Sequence, residues 1–174
     1  MTGRLPVFGL IAAAVALIAD QLTKWIVTGP LDLDTLSGRV IDIVPIFRVR
    51  FVANAGVSLG LLYANTSATR WALVVLTAGI ALGVLIWMWR EKWRADQVAL
   101  GFVFGGALGN IADRVRLGYV VDFADLHFGE WSPFLVFNVG DAAITIGVLV
   151  LLARAVLIRD KAVTPGVSVE NGNA

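Results

Sequence analysis

Apolar residues gather into four blocks along the chain, and most of the polar residues fall between them. The blocks cover about residues 6–27, 70–89, 97–114 and 139–158. Each is close to the ~20 residues that cross the hydrocarbon core of a bilayer. Trp71–Trp89 runs for 19 residues without a charge, whereas Gln97–Ala112 is uncharged for only 16 and is rich in glycine. The third block therefore needs its flanks to span. Between the first two blocks the pattern changes period. Val40-Ile41-Asp42-Ile43-Val44 and Phe47-Arg48-Val49-Arg50-Phe51-Val52 alternate apolar and polar around Pro45. That alternation predicts two half-buried strands, read as a small antiparallel sheet on the membrane surface. The stretch of about residues 117–137, with His127, Trp131 and Pro133, is expected to form a short interfacial helix or loop. Residues 163–174 read as a polar, disordered tail. The pattern thus predicts one polytopic membrane domain over 1–174, all-α apart from the β-rich region of about 28–69.

Two features bear on topology. Arg4 and the apolar run to Ala19 also fit a cleaved signal peptide, but three later spans make a retained first helix the simpler account. Four spans put both termini on one side. The turn Arg90-Glu91-Lys92-Trp93-Arg94 and the bases Arg154, Arg159 and Lys161 favour a cytoplasmic location for their end. Arg39, Arg48, Arg50, Arg70, Arg114 and Arg116 lie toward the other end, so the count nearly balances. Trp71, Trp87, Trp89 and Trp93 fall where an aromatic belt would form.

Composition narrows the chemistry. Of 174 residues, 58% are hydrophobic and 16% charged, against roughly 25% charged in soluble domains. Mean hydropathy is +0.81. The net charge of +1, without a basic block, offers no electrostatic footprint for nucleic acid. The chain has no cysteine and one histidine, His127, so thiolate and multi-histidine metal sites are out of reach. No metal and no cofactor are expected. Carboxylates remain as the plentiful acid–base groups.

Several polar residues sit where lipid should forbid them, at a cost of ~2.5–3.5 kcal/mol each on insertion scales. Asp20 and Lys24 share a helix face at i, i+4, either as a plain ion pair or as a support for substrate. In Gly105-Gly106-Ala107-Leu108-Gly109-Asn110-Ile111-Ala112-Asp113-Arg114, the pair Gly105 and Gly109 suits close helix packing. Gly106, Asn110 and Asp113 form one stripe that packing alone does not account for. Asp122 reads either as an exposed loop acid or as an active carboxylate, with Asp125 one helical turn on. Asp141 opens the fourth span, where Asn138 and Asp141 also fit a reciprocal helix cap. Asn54-Ala55-Gly56 reads locally as a turn. The topology puts Asp122 and Asp141 on the same membrane face. If they converge, they would share a proton and split the acid and base roles. Intramembrane carboxylates would also suit a small transporter or channel, and a non-catalytic scaffold is a third reading.

Read in order, Asp20-Gln21-x-x-Lys24, Asn54-x-Gly56, Gly105-Gly106-Ala107-x-Gly109-Asn110-x-x-Asp113-Arg114, Val121-Asp122-Phe123 and Phe137-Asn138-x-x-Asp141 resemble the lipoprotein signal peptidase family, also called signal peptidase II. The resemblance implies four transmembrane helices with cytoplasmic termini and a small extracytoplasmic β-cradle. It implies an aspartyl endopeptidase of the bacterial cytoplasmic (inner) membrane. Such an enzyme cuts prolipoproteins just before the diacylglyceryl-modified cysteine, and is inhibited by the cyclic peptide globomycin. Asp122 and Asp141 match the catalytic carboxylates. Asn54, Asn110, Arg114 and Asn138 match polar residues that bind substrate backbone, with Asp113 in the same motif. Asp20 and Lys24 match a supporting pair, and Gly56 and Gly106 match points of close approach to substrate. Two departures stand out. Val57-Ser58-Leu59-Gly60 replaces the family's small residues and phenylalanine, and Gly140 replaces its usual alanine.

Overall fold

The structure, a computed structural model, describes residues 5–36, 38–56, 67–129 and 131–161, the last four as backbone alone. The departure at Val57–Gly60 and the tail of 163–174 lie outside these residues.

Four long helices and three strands follow one another as α1 (Val7–Thr28), β1 (Val40–Val44), β2 (Phe47–Asn54), α2 (Ser67–Arg90), α3 (Arg94–Arg116), β3 (Val120–Leu126) and α4 (Val139–Lys161). All four helices are long and apolar enough to cross a membrane. The short third block reaches that length because the helix continues through Arg94 at one end and Arg116 at the other. The membrane all-α fold with a small sheet, expected from the pattern, is the fold observed.

Helix α3 is the axis of the bundle, and its glycines explain why. A Cβ on Gly105 would run into the backbone of Ala13 in α1. One on Gly106 would strike the Gly140 carbonyl of α4. Bare backbone thus lets two helices approach α3 on adjacent faces, the usual route to tight packing where lipid offers no hydrophobic drive. At Gly106 the element in close approach is α4. On α1 the buried positions Gly9, Ala12, Ala13, Ala16, Asp20, Lys24 and Val27 form one stripe at helical spacing. The opposite faces carry exposed Ile11, Ile18, Val75 and Leu149, as lipid-facing surfaces do.

The strands form one antiparallel sheet in the order β1-β2-β3. Asp42 pairs with Arg48, Arg48 with Asp125, and Val52 with Asp122, past an irregularity between Val49 and Val52. The third strand corrects the expectation of a helix or loop at 117–137. It also places Asp122 and Asp125 three positions apart in a strand, so their side chains leave opposite faces. Val27, Leu33, Phe123 and Ala124 pack as a core with Ile41, Phe47, Phe51 and Phe137 around them. This core seats the sheet on the end of α1. The backbone of Phe137 bonds to Phe123 and Ala124, which brings the start of α4 beside β3.

Candidate active site

Asn138 joins the two acids. Its side-chain oxygen accepts from the backbone N–H of Asp141 at 2.9 Å, and its own N–H donates to Asp141 Oδ2 at 3.2 Å. This is the reciprocal cap that the sequence allows, and it fixes the Asp141 rotamer. The other end of the same amide, Nδ2, donates to Asp122 Oδ1 at 2.6 Å. One side chain therefore caps α4 and grips the carboxylate of β3. The cap on Asp141 and the contact with Asp122 are thus made by one amide.

The remaining oxygens are also held. Asn54, at the end of β2, donates through Nδ2 to Asp122 Oδ2 at 2.9 Å, and its own oxygen accepts from the Gly56 N–H. Asn110 of α3 donates to Asp141 Oδ1 at 2.8 Å. Asp122 is 2% exposed. Burial pushes its carboxyl up to about 6, against the Asn54 hydrogen bond, and repulsion from Asp141 adds to the rise. Asp141 is less enclosed, so the pair opens toward one side.

Behind the pair lies a buried charge network. Lys24 Nζ sits 2.7 Å from Asp20 Oδ2, 2.8 Å from Asp113 Oδ2 and 3.0 Å from Asn110 Oδ1. Asp20 Oδ1 accepts from the Gly140 N–H at 2.8 Å, one residue before Asp141. Asp113 Oδ2 accepts from the Val121 N–H at 3.2 Å, one residue before Asp122. The two arms of the network thus anchor the backbone immediately ahead of each acid, and Lys24 ties the arms together. Removing Lys24 would leave two buried carboxylates without their cation.

Arg114 extends toward Gly56, with Nη2 3.4 Å from its carbonyl, while its buried Nε has no partner among the described residues. Of the expected site residues, Asp20, Lys24, Asn54, Asn110, Asp113, Asp122, Asn138 and Asp141 form one connected network. Gly56 and Arg114 border it, and Gly106 serves packing beneath it. Two contributors were given no site role from sequence, although Gln21 stands in the first motif. Gln21 bonds Asp113 and the Gly109 carbonyl, and Arg70 of α2 donates to the carbonyls of Arg114 and Val115. A lone arginine opening an apolar helix was the available sign of the second. Asp125 belongs elsewhere. Burial raises its carboxyl, but hydrogen bonds from Arg48 and Arg50 outweigh that and hold it below the usual range. Among the described residues no three His, Asp or Glu side chains form a cluster that could hold a metal.

The arrangement is two carboxylates steadied by amides from the end of β2, from α3 and from the start of α4. Comparison with known proteins gives it a context. Residues 12–157 match the family described as signal peptidase (SPase) II. A lipoprotein signal peptidase of Rhizorhabdus wittichii is 54% identical over 166 residues, 95% of this chain and 93% of the relative. Another, of Sphingopyxis alaskensis, is 54% identical over 89% of this chain and 88% of its own. A solved bacterial membrane enzyme superposes with a TM-score of 0.74 at 27% identity, covering 93% of this chain and 94% of that one. These likenesses lend nothing to the transporter reading.

Proposed function

The chain belongs to the signal peptidase II family, and from that premise we propose that Asp122 and Asp141 are its catalytic pair. It is an aspartic endopeptidase that removes signal peptides from prolipoproteins. The observation that carries the residue assignment is the shared grip of Asn138 on both acids, with Asp122 raised to about 6. Raised to about 6, the Asp122 carboxyl holds a proton more readily than a free aspartate and is the acid we assign to the pair.

The ionised carboxylate takes a proton from a water molecule, whose oxygen attacks the scissile carbonyl carbon. The protonated partner gives its proton to the carbonyl oxygen. The tetrahedral diol then collapses as the amide nitrogen gains a proton and the C–N bond breaks. Asn54, Asn110 and Asn138 keep both carboxylates oriented through this exchange. Arg114, whose Nε has no partner among the described residues, is the side chain we assign to substrate backbone.

The site sits beside the sheet, at the end of the bundle away from Arg90, Lys92 and Arg94. With that basic turn on the cytoplasmic side, both termini are cytoplasmic and the site opens near the outer face of the bacterial inner membrane. A diacylglyceryl substrate then keeps its chains in lipid while the bond before its modified cysteine enters the polar site. Globomycin, a cyclic peptide, would occupy the same place. The test is to give the purified chain a prolipoprotein with and without diacylglyceryl modification. Cleavage of the modified form before its cysteine, blocked by globomycin, is expected. Equal cleavage of the unmodified form would refute the lipid requirement.

A further inference from the structure

At the far end of the sheet from Asp122, a cavity of about 600 Å³ opens between the β1–β2 turn and the residues after β3. Its walls carry three ionisable side chains, Asp42, Arg48 and His127. None of them belongs to the network around the catalytic pair. Asp42 and Arg48 face each other in register across β1 and β2, yet no ion pair joins them. Arg48 turns its Nε to Asp125 instead, 2.8 Å away, where Arg50 also donates at 2.7 Å. Asp125 is fully buried, so it fixes Arg48 by one nitrogen and leaves the outer guanidinium nitrogens free. Asp42 has no cationic partner among the described residues. His127 places Nδ1 3.4 Å from the Gly129 carbonyl, and its buried Nε2 has no partner there either.

The cavity thus offers a cation and an imidazole on one side and an unpaired carboxylate on the other. Such a set matches a ligand that is itself zwitterionic. The surroundings indicate its source. Ile43, Val44 and Ile46 at the turn, and Phe128 and Trp131 across from it, are large, apolar and exposed. Phe128 and Trp131 rings pack together, and the His127 N–H donates to the Ile46 carbonyl, so the group is one patch. An apolar rim around a charged pocket, in a chain with four membrane-crossing helices, fits the headgroup layer of a bilayer.

We propose that the tip of the sheet holds the headgroup of a zwitterionic aminophospholipid, its phosphate against Arg48 and its primary ammonium against Asp42. The Arg48 fork suits phosphate geometry. Asp42 would repel a headgroup that carries only negative charge, and it can hydrogen-bond a primary ammonium but not a quaternary one. The site would moor the sheet beside the active centre.

Binding of short-chain phosphatidylethanolamine, phosphatidylglycerol and phosphatidylcholine to the full chain in detergent tests this. The first should bind more tightly than the other two by about fivefold, the scale of one exposed ion pair. Asp42→Asn should abolish that preference, and Arg48→Gln should weaken all three, with prolipoprotein cleavage in detergent unchanged in the Asp42 variant. Equal affinities in the unaltered chain, or a preference that survives Asp42→Asn, would overturn the proposal. So would chain-free phosphoethanolamine binding as tightly as the lipid, which would make the ligand a soluble one.

Discussion

At the scale of single residues, the site turns on amides holding acids. Asn138 spends one end of its side chain on the α4 cap and the other on Asp122. Its partner Asn54 stabilises the ionised form of Asp122 and so opposes the effect of burial. Asn54→Ala should therefore move the alkaline limb of kcat/KM upward, by roughly one pH unit for a lost hydrogen bond to a charge. The sign follows from Asp122 being raised to about 6 already. A weaker stabilisation of the anion keeps the proton on to higher pH. A limb that moves down would mean that the Asn54 bond does not govern this proton. The cap was legible in the sequence from Asn138 and Asp141 at their three-residue spacing. What the sequence could not reveal is that the same amide reaches Asp122, sixteen residues away along the chain.

At the scale of elements, helices were easier to read than strands, and for a physical reason. A lipid-facing helix needs a long apolar run, which is visible in any window. β1 and β2 alternate apolar and polar in sequence and stay exposed or half-buried along their length. β3 is buried at every position but Leu126. A strand covered on both faces loses its period-two signal, so Val120–Leu126 reads in sequence as a short helix or loop with two acids. Its true form decides that Asp122 and Asp125 serve different sites. The link between elements is the Asp20–Lys24–Asp113 network, which fixes the backbone before each acid. Lys24→Met should lower stability by ~3–5 kcal/mol, the usual effect of stranding a buried charge. It should also lower kcat while leaving KM nearly unaltered, because Lys24 acts through backbone placement. A rise in KM alone would instead put Lys24 on the substrate. Packing is testable separately. Gly105→Val forces α1 away from α3 and should cost ~1–3 kcal/mol or more in thermal unfolding in detergent. An unchanged melting temperature would contradict the close approach at Ala13.

At the scale of the whole molecule, the helices present apolar faces outward and gather polar groups at the end that carries the sheet. Charge alone left the orientation nearly balanced, since arginines lie toward both ends. Several at the sheet end now have local partners. Arg48 and Arg50 bind Asp125, and Arg70 holds carbonyls at the end of α3. Because the chain has no cysteine, single cysteines can report sidedness. Leu36→Cys should react with an impermeant thiol reagent from outside intact cells, and Lys92→Cys only after lysis. The reverse pattern would invert the proposed topology. The central claim is that Asp122 and Asp141 act as one catalytic pair. It is tested most directly by the initial cleavage rate of a diacylglyceryl prolipoprotein with Asp122→Asn and Asp141→Asn at equal levels of inserted protein. Each substitution should lower the rate by at least ~10³-fold, the scale at which acid–base partners that act as a unit are lost. A rate near that of the unaltered chain in either variant would contradict it.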